Sequence, residues 1–111
     1  MRTHNDTIIN VDGTTFKGTL NNVRFSTLIL AFGGPVFEGL DSKQDCEWQI
    51  KFRNGTVATI YNWKNGKNYN GESGLDLDDI REWNVGGSAS DAVDLVKQAI
   101  SDAEVLFTFI S

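Results

Sequence analysis

Two runs of alternating apolar and polar residues, Cys46-Glu47-Trp48-Gln49-Ile50-Lys51-Phe52-Arg53 and Thr56-Val57-Ala58-Thr59-Ile60-Tyr61-Asn62-Trp63, flank an Asn54-Gly55 dipeptide. A period of two marks a half-buried strand. Asn-Gly between two such runs is the strongest short-range hairpin signal, because both central residues of a type I′ turn take positive φ. A two-residue loop pairs Phe52 with Val57, Ile50 with Thr59, Trp48 with Tyr61 and Cys46 with Trp63, and places all of these on one, buried side of the sheet. Glu47, Gln49, Lys51 and Arg53, opposite Asn62, Ile60, Ala58 and Thr56, then form a mostly polar, solvated side.

The pattern elsewhere predicts fewer and shorter elements. Thr7–Val11 reads as a β-branched strand stopped by Asp12-Gly13, with a second strand over Thr14–Leu20. β-branched residues and alternation over residues 25–32 permit a strand, while Phe25, Leu28, Ile29 and Phe32 recur at helical spacing and Gly33-Gly34-Pro35 ends the run as helix-stop residues do, which favours a short helix without excluding the strand. Asn65–Gly74 is a loop on composition. Asp79–Val85 is expected to be a third sheet strand ending at Gly86-Gly87, with Trp83 and Val85 on one face. Ser88, with Asp91 three residues on, opens a helix whose apolar stripe is Ala89, Ala92, Val93, Val96, Ala99 and Ile100. Glu104–Ile110 reads as a final strand. The fold class is α+β: one small domain over residues 1–111, with an antiparallel sheet around a central Asn-Gly hairpin and two helices on one face, and residues 1–6 as a flexible lead-in.

With 111 residues there is room for a single core, and 40% hydrophobic against 23% charged residues is an ordinary globular balance. One Cys, one His and one Met are too few for a zinc finger or a dithiol pair, so no cofactor and no metal are expected. Cys46 reads as a buried structural thiol. No run approaches a membrane span and no secretory pattern opens the chain, which points to the cytoplasm.

Several segments together resemble a family of small uncharacterised bacteriophage proteins: Phe32-Gly33-Gly34-Pro35 after a helix, Trp48-Gln49-Ile50-Lys51-Phe52, Gly55–Lys64, and Glu82-Trp83-Asn84-Val85-Gly86-Gly87. The match covers roughly residues 16–100. Asn84 stands where that family has histidine, so no role can rest on an imidazole there. The resemblance implies phage origin, an accessory role during infection and a place in the host cytoplasm, without an established activity.

Catalytic constellations are absent from the sequence: His4 has no nearby nucleophile, and the glycines fit no phosphate-loop or dinucleotide spacing. The expectation is a protein that is not an enzyme. Asp76, Asp78, Asp79 and Glu82 lack the spacing of a calcium loop and read as a solvated acidic turn.

Charge is divided unevenly. From Glu72 to Ser111 there are nine acids and two bases, whereas residues 1–71 carry six acids and eight bases, so a net −5 resolves into −7 and +2. An acidic half suits a basic surface on a host protein, and Asp76, Asp78, Asp79 and Glu82 are the expected partner-binding residues. The same distribution disfavours direct nucleic-acid binding, which needs a coherent basic face. Lys51, Arg53, Lys64 and Lys67 are accompanied by no acid between positions 48 and 71, and Trp63 and Tyr69 lie among them. Lys51, Arg53, Trp63, Lys64 and Tyr69, joined by Gly86, Gly87 and Ser88 at a helix start, could therefore hold a nucleotide by stacking and phosphate contacts. Two functions follow: a phage accessory protein that binds and inhibits a host factor, with an antiviral-defence component as the preferred target, or a binder of a signalling nucleotide or other small anion.

Overall fold

A computed structural model of the chain describes residues 3–4, 9–38 and 45–110. The alternating runs form strands β4 (Cys46–Lys51) and β5 (Val57–Tyr61), the centre of an antiparallel sheet. Around them lie β1 (Thr3–His4), β2 (Thr15–Leu20), β3 (Phe37–Glu38) and β6 (Trp83–Gly87). The strand order is β1-β4-β5-β6-β2, and β3 shares the outer edge of β4 with β1. Helices α1 (Phe25–Phe32) and α3 (Ala92–Ile110) cover one face, and α2 (Lys67–Asn70) is a single turn in the connection from β5 to β6. The fold is thus the α+β architecture expected. Among the described residues, no helix is long and apolar enough to cross a membrane.

The hairpin register differs from the expected one by a single residue. In its turn only Gly55 takes positive φ, at +91°. The Phe52 N–H donates to the Thr56 carbonyl (2.9 Å) and the Gly55 N–H to the Phe52 carbonyl (3.0 Å), which makes Arg53-Asn54-Gly55 a three-residue loop with Gly55 as its bulge. Trp48 therefore opposes Ile60 and Ile50 opposes Ala58, and these four fill the core face without solvent exposure. Tyr61, Thr59 and Val57 move to the other face beside Glu47, Gln49 and Lys51. One inserted residue exchanges the faces of a whole strand because the side-chain period is two.

Four further expectations are corrected. Residues 9–11 form no strand; the remainder of the expected first strand, residues 7–8, lies outside the described residues, as do 1–2 and 5–6 of the expected flexible lead-in. Within that lead-in, Thr3–His4 pairs with Lys51 and Ile50 as β1. The helix does not begin at Ser88: it opens at Ala92, whose N–H reaches the Ala89 carbonyl at 3.2 Å. Residues 104–110 are helical rather than a strand, because no Gly or Pro interrupts α3 and Val96, Ile100, Ala103 and Phe107 carry the helical period through. Local β-propensity yields to an uninterrupted helix.

The core sits between this helix pair and the sheet. Trp48 and Trp83 are fully buried and meet edge to face, with centroids 5.6 Å apart and planes at 81°. Their indole N–H groups do specific work. Trp83 Nε1 donates to the Val23 carbonyl just before α1, and Trp48 Nε1 to the Gly33 carbonyl just after it, both at 2.8 Å. Phe25, at the helix start, rests on both indoles. Gly33 closes α1 at φ +80° with its N–H on the Ile29 carbonyl. On the other side, α3 approaches the sheet closely over glycine: a Cβ on Gly87 would lie 2.3 Å from the Ala92 Cβ, and one on Gly18 would lie 3.1 Å from Val93.

Candidate functional site

The connection from β5 to β6 carries most of the sequence-predicted site residues, and its shape is set by one buried amide. Asn62 is fully buried and satisfies both ends of its side chain. Its Oδ1 accepts from the backbone N–H groups of Asp45 (2.7 Å) and Cys46 (3.3 Å). Its Nδ2 donates to Asp45 Oδ1 (3.1 Å) and Asn65 Oδ1 (3.0 Å). Asp45 also accepts from the Lys67 N–H through Oδ2 (3.2 Å), while Asn65 reaches the Glu82 carbonyl (3.3 Å). Gly66 lies so close to the Asp45 carboxylate that a Cβ there would meet Oδ1 at 2.1 Å, so glycine is required. Asp45, Asn62 and Asn65 are residues that sequence reasoning missed. The runs Asn62–Asn65 and Asp45-Cys46 carry no periodic signal that joins them.

This knot presents an acidic shelf. Asp45, Asp76, Asp78 and Asp79 surround an open depression of about 650 Å³ with Phe25, Leu75 and Leu77 as its apolar lining. The single turn Leu77–Asp79 projects two of the carboxylates, and Ile80, fully buried, pins it to the core. Lys67 is the cation that lines the shelf; its Nζ pairs with Asp76 Oδ1 at 3.0 Å, both groups being well exposed. Arg81 turns back on the Asp78 carbonyl (2.7 Å) instead of facing the carboxylates. Three of the four expected partner-binding acids, Asp76, Asp78 and Asp79, are thus brought together, and Glu82 is exposed but does not line the shelf.

The residues expected to hold a nucleotide fall into separate places. Trp63 and Tyr69 are 42% and 49% exposed and do not belong to the core, and Lys64 Nζ lies 5.9 Å from one ring centroid and 5.4 Å from the other. Lys64 takes φ +61°, rare for a residue with a side chain, and Asn70 Nδ2 donates to its carbonyl at 2.8 Å. Tyr61 meets the Trp63 ring edge on; burial, and then the neighbouring Glu47 carboxylate, push its phenol above the usual value. Lys51, opposite Val57, and Arg53 stand at the turn end of the hairpin, about 14 Å along β5 from Tyr61 and farther from Trp63.

Gly86, Gly87 and Ser88 are not a helix start. Both glycines lie inside β6, between β5 and β2, with Gly86 opposite Thr59 and Gly87 opposite Ala58. Ser88 exchanges two bonds with Val57: its N–H donates to the Val57 carbonyl and its Oγ accepts the Val57 N–H, each at 2.9 Å. Sheet pairing uses the groups that an anion would need.

Cys46 is 1% exposed, as expected of a structural thiol, although the β4–β5 register, with Glu47 opposite Tyr61, does not place it opposite Trp63. Among the described residues no three His, Cys, Asp or Glu side chains converge in a way that could hold a metal ion. The fold and the shelf together define a small α+β domain with an acidic, partly apolar surface built on a buried asparagine. No protein family, no curated protein and no solved structure matches the chain.

Proposed function

We propose that the chain is a non-enzymatic protein-binding domain whose acidic shelf occupies a basic surface of a partner protein. The carrying observation is the convergence of Asp45, Asp76, Asp78 and Asp79 around the exposed Leu75 and the half-buried Phe25 and Leu77, with Lys67 as the lining cation. Carboxylates around an apolar floor provide both halves of a protein interface: charge speeds and orients the encounter, and the buried apolar centre supplies affinity. With the resemblance to phage proteins, the partner is a bacterial host factor, an antiviral-defence component being the preferred class, and binding inhibits it.

Capture from a bacterial lysate tests this reading. The wild-type chain is expected to retain a discrete protein that salt releases at about 0.5 M, and the Asp78→Lys/Asp79→Lys chain to retain at least about tenfold less. Recovery of no protein, or equal recovery by both chains, would sink the proposal.

One observation favours a second reading, a nucleotide ligand: Lys64 is held beside two exposed rings, Trp63 and Tyr69. A nucleotide stacked there is expected to raise Tm in a thermal-shift panel of mono-, di- and cyclic nucleotides, and Trp63→Ala to abolish the rise. No shift with any member removes this reading and leaves the shelf untouched.

A further inference from the structure

The last helix carries a second surface that the shelf does not use. The β4–β5 turn stands against α3, held by Asp91, whose two carboxylate oxygens accept from Asn54 Nδ2 (2.9 Å) and Thr56 Oγ1 (3.0 Å). Between turn and helix runs a groove of about 400 Å³ floored by Phe52, Leu95 and Ala99 and rimmed by Arg53, Gln98 and Asp102. Further along the same helix, Val105, Leu106 and Phe107 are 63%, 62% and 52% exposed, an apolar ridge at the outer end of α3.

Groove and ridge are related by spacing. Leu95, Ala99, Asp102 and Leu106 follow one another at intervals of four, three and four, which lines them up along one side of α3. Eleven residues separate Leu95 from Leu106, about 16 Å at the helical rise. A two-fold axis crossing α3 at right angles between Ala99 and Asp102 lays a second α3 antiparallel on the first. Leu106 of each copy then enters the Phe52–Leu95 groove of the other, and one operation fills both grooves. The charges agree. Among the described residues the single ion pair is Lys67–Asp76, so Arg53 is not paired with Asp102, which shares its groove rim and accepts from Gln98 Nε2 at 2.9 Å. Asp102 sits at the axis, where two like charges meet unless Arg53 of the opposite copy stands beside each.

We propose that the chain forms a two-fold homodimer through α3, with Leu106 seated between Phe52 and Leu95 of the other copy and Arg53 paired with Asp102 across the axis. One helix and one turn from each copy make an interface at the small end of the range for specific complexes, so dissociation is expected at roughly 10–100 μM.

Sedimentation equilibrium of the full chain from about 5 to 500 μM decides it. The weight-average mass is expected to rise from one chain toward two. Leu106→Glu should hold it at one chain across the range, with an unchanged circular dichroism spectrum because Leu106 is exposed in the monomer. Arg53→Glu and Asp102→Arg should each weaken pairing at least about tenfold, and the two together, which exchange the charges, should restore it. A wild-type mass of one chain throughout, pairing unaffected by Leu106→Glu, or a charge exchange that fails to restore what the single changes lose, overturns the proposal.

Discussion

Trp83→Ala is expected to lower the free energy of unfolding by about 4 kcal/mol, near the upper end for a large-to-small change in a packed core. Three losses coincide at this residue. The indole is fully buried, so its removal leaves a void against Trp48 and Phe25. The Val23 carbonyl loses the donor that holds it at 2.8 Å. Trp83 also opposes Leu20 in the β6–β2 pairing, so the void reaches across the sheet. Urea denaturation followed by far-ultraviolet circular dichroism measures the effect. Trp83→Phe separates the causes: it keeps most of the ring volume and removes the N–H, and should cost about 1–2 kcal/mol. A loss below about 1.5 kcal/mol for the alanine change would show that α1 does not depend on this ring.

The second large effect is expected at Asn62, where alanine should cost about 3 kcal/mol and lower Tm by on the order of 12 °C. Four hydrogen bonds end on this side chain, and its removal takes an acceptor from the N–H groups of the half-buried Asp45 and the buried Cys46. Asn62→Asp is the sharper test, since the shape is kept. It has no N–H to donate to Asp45 or Asn65 and places a second carboxylate beside Asp45, so it should lose at least as much as alanine at neutral pH. Scanning calorimetry of the two variants checks the order; an Asn62→Asp chain as stable as wild type would contradict the bonding described.

The sequence made the architecture readable and the details of faces less so. Residues 25–32 favoured a helix over a strand because Phe25, Leu28, Ile29 and Phe32 share one side and Gly33 ends the run. The hairpin too was visible at Asn54-Gly55, but its faces were not. Asn-Gly serves a two-residue loop and a three-residue bulged loop equally well, and β5 carries apolar side chains on both parities, with Val57 and Tyr61 on one and Ala58 and Ile60 on the other. Patterning could not choose between them. Glu104–Ile110 misled for a related reason: Val, Leu, Phe and Ile favour strands locally, and only the helical stripe of the preceding residues reveals that the turn never comes.

The site was legible in its charges and illegible in its support. Asp76, Asp78 and Asp79 lie together in sequence and in space. Asp45 joins them from 31 positions away, because Asn62, in a different strand connection, needs its carboxylate and its N–H. Likewise, Gly86-Gly87 followed by Ser88 looks like the opening of a helix when read linearly. What decides against it is β2, which returns from the first quarter of the chain to pair with β6.

The two indole bonds at the ends of α1 bear on how the chain acquires its structure. A helix of eight residues is too short to persist by itself in water. Here the Val23 carbonyl, two residues before it, accepts from a residue of β6, and the Gly33 carbonyl, just after it, accepts from a residue of β4. Those strands are separated by β5, so both ends are secured together only when three neighbouring strands have assembled. The helix is therefore expected to form with the sheet rather than ahead of it. Indole fluorescence and the protection of α1 amides become two reports of one all-or-none event.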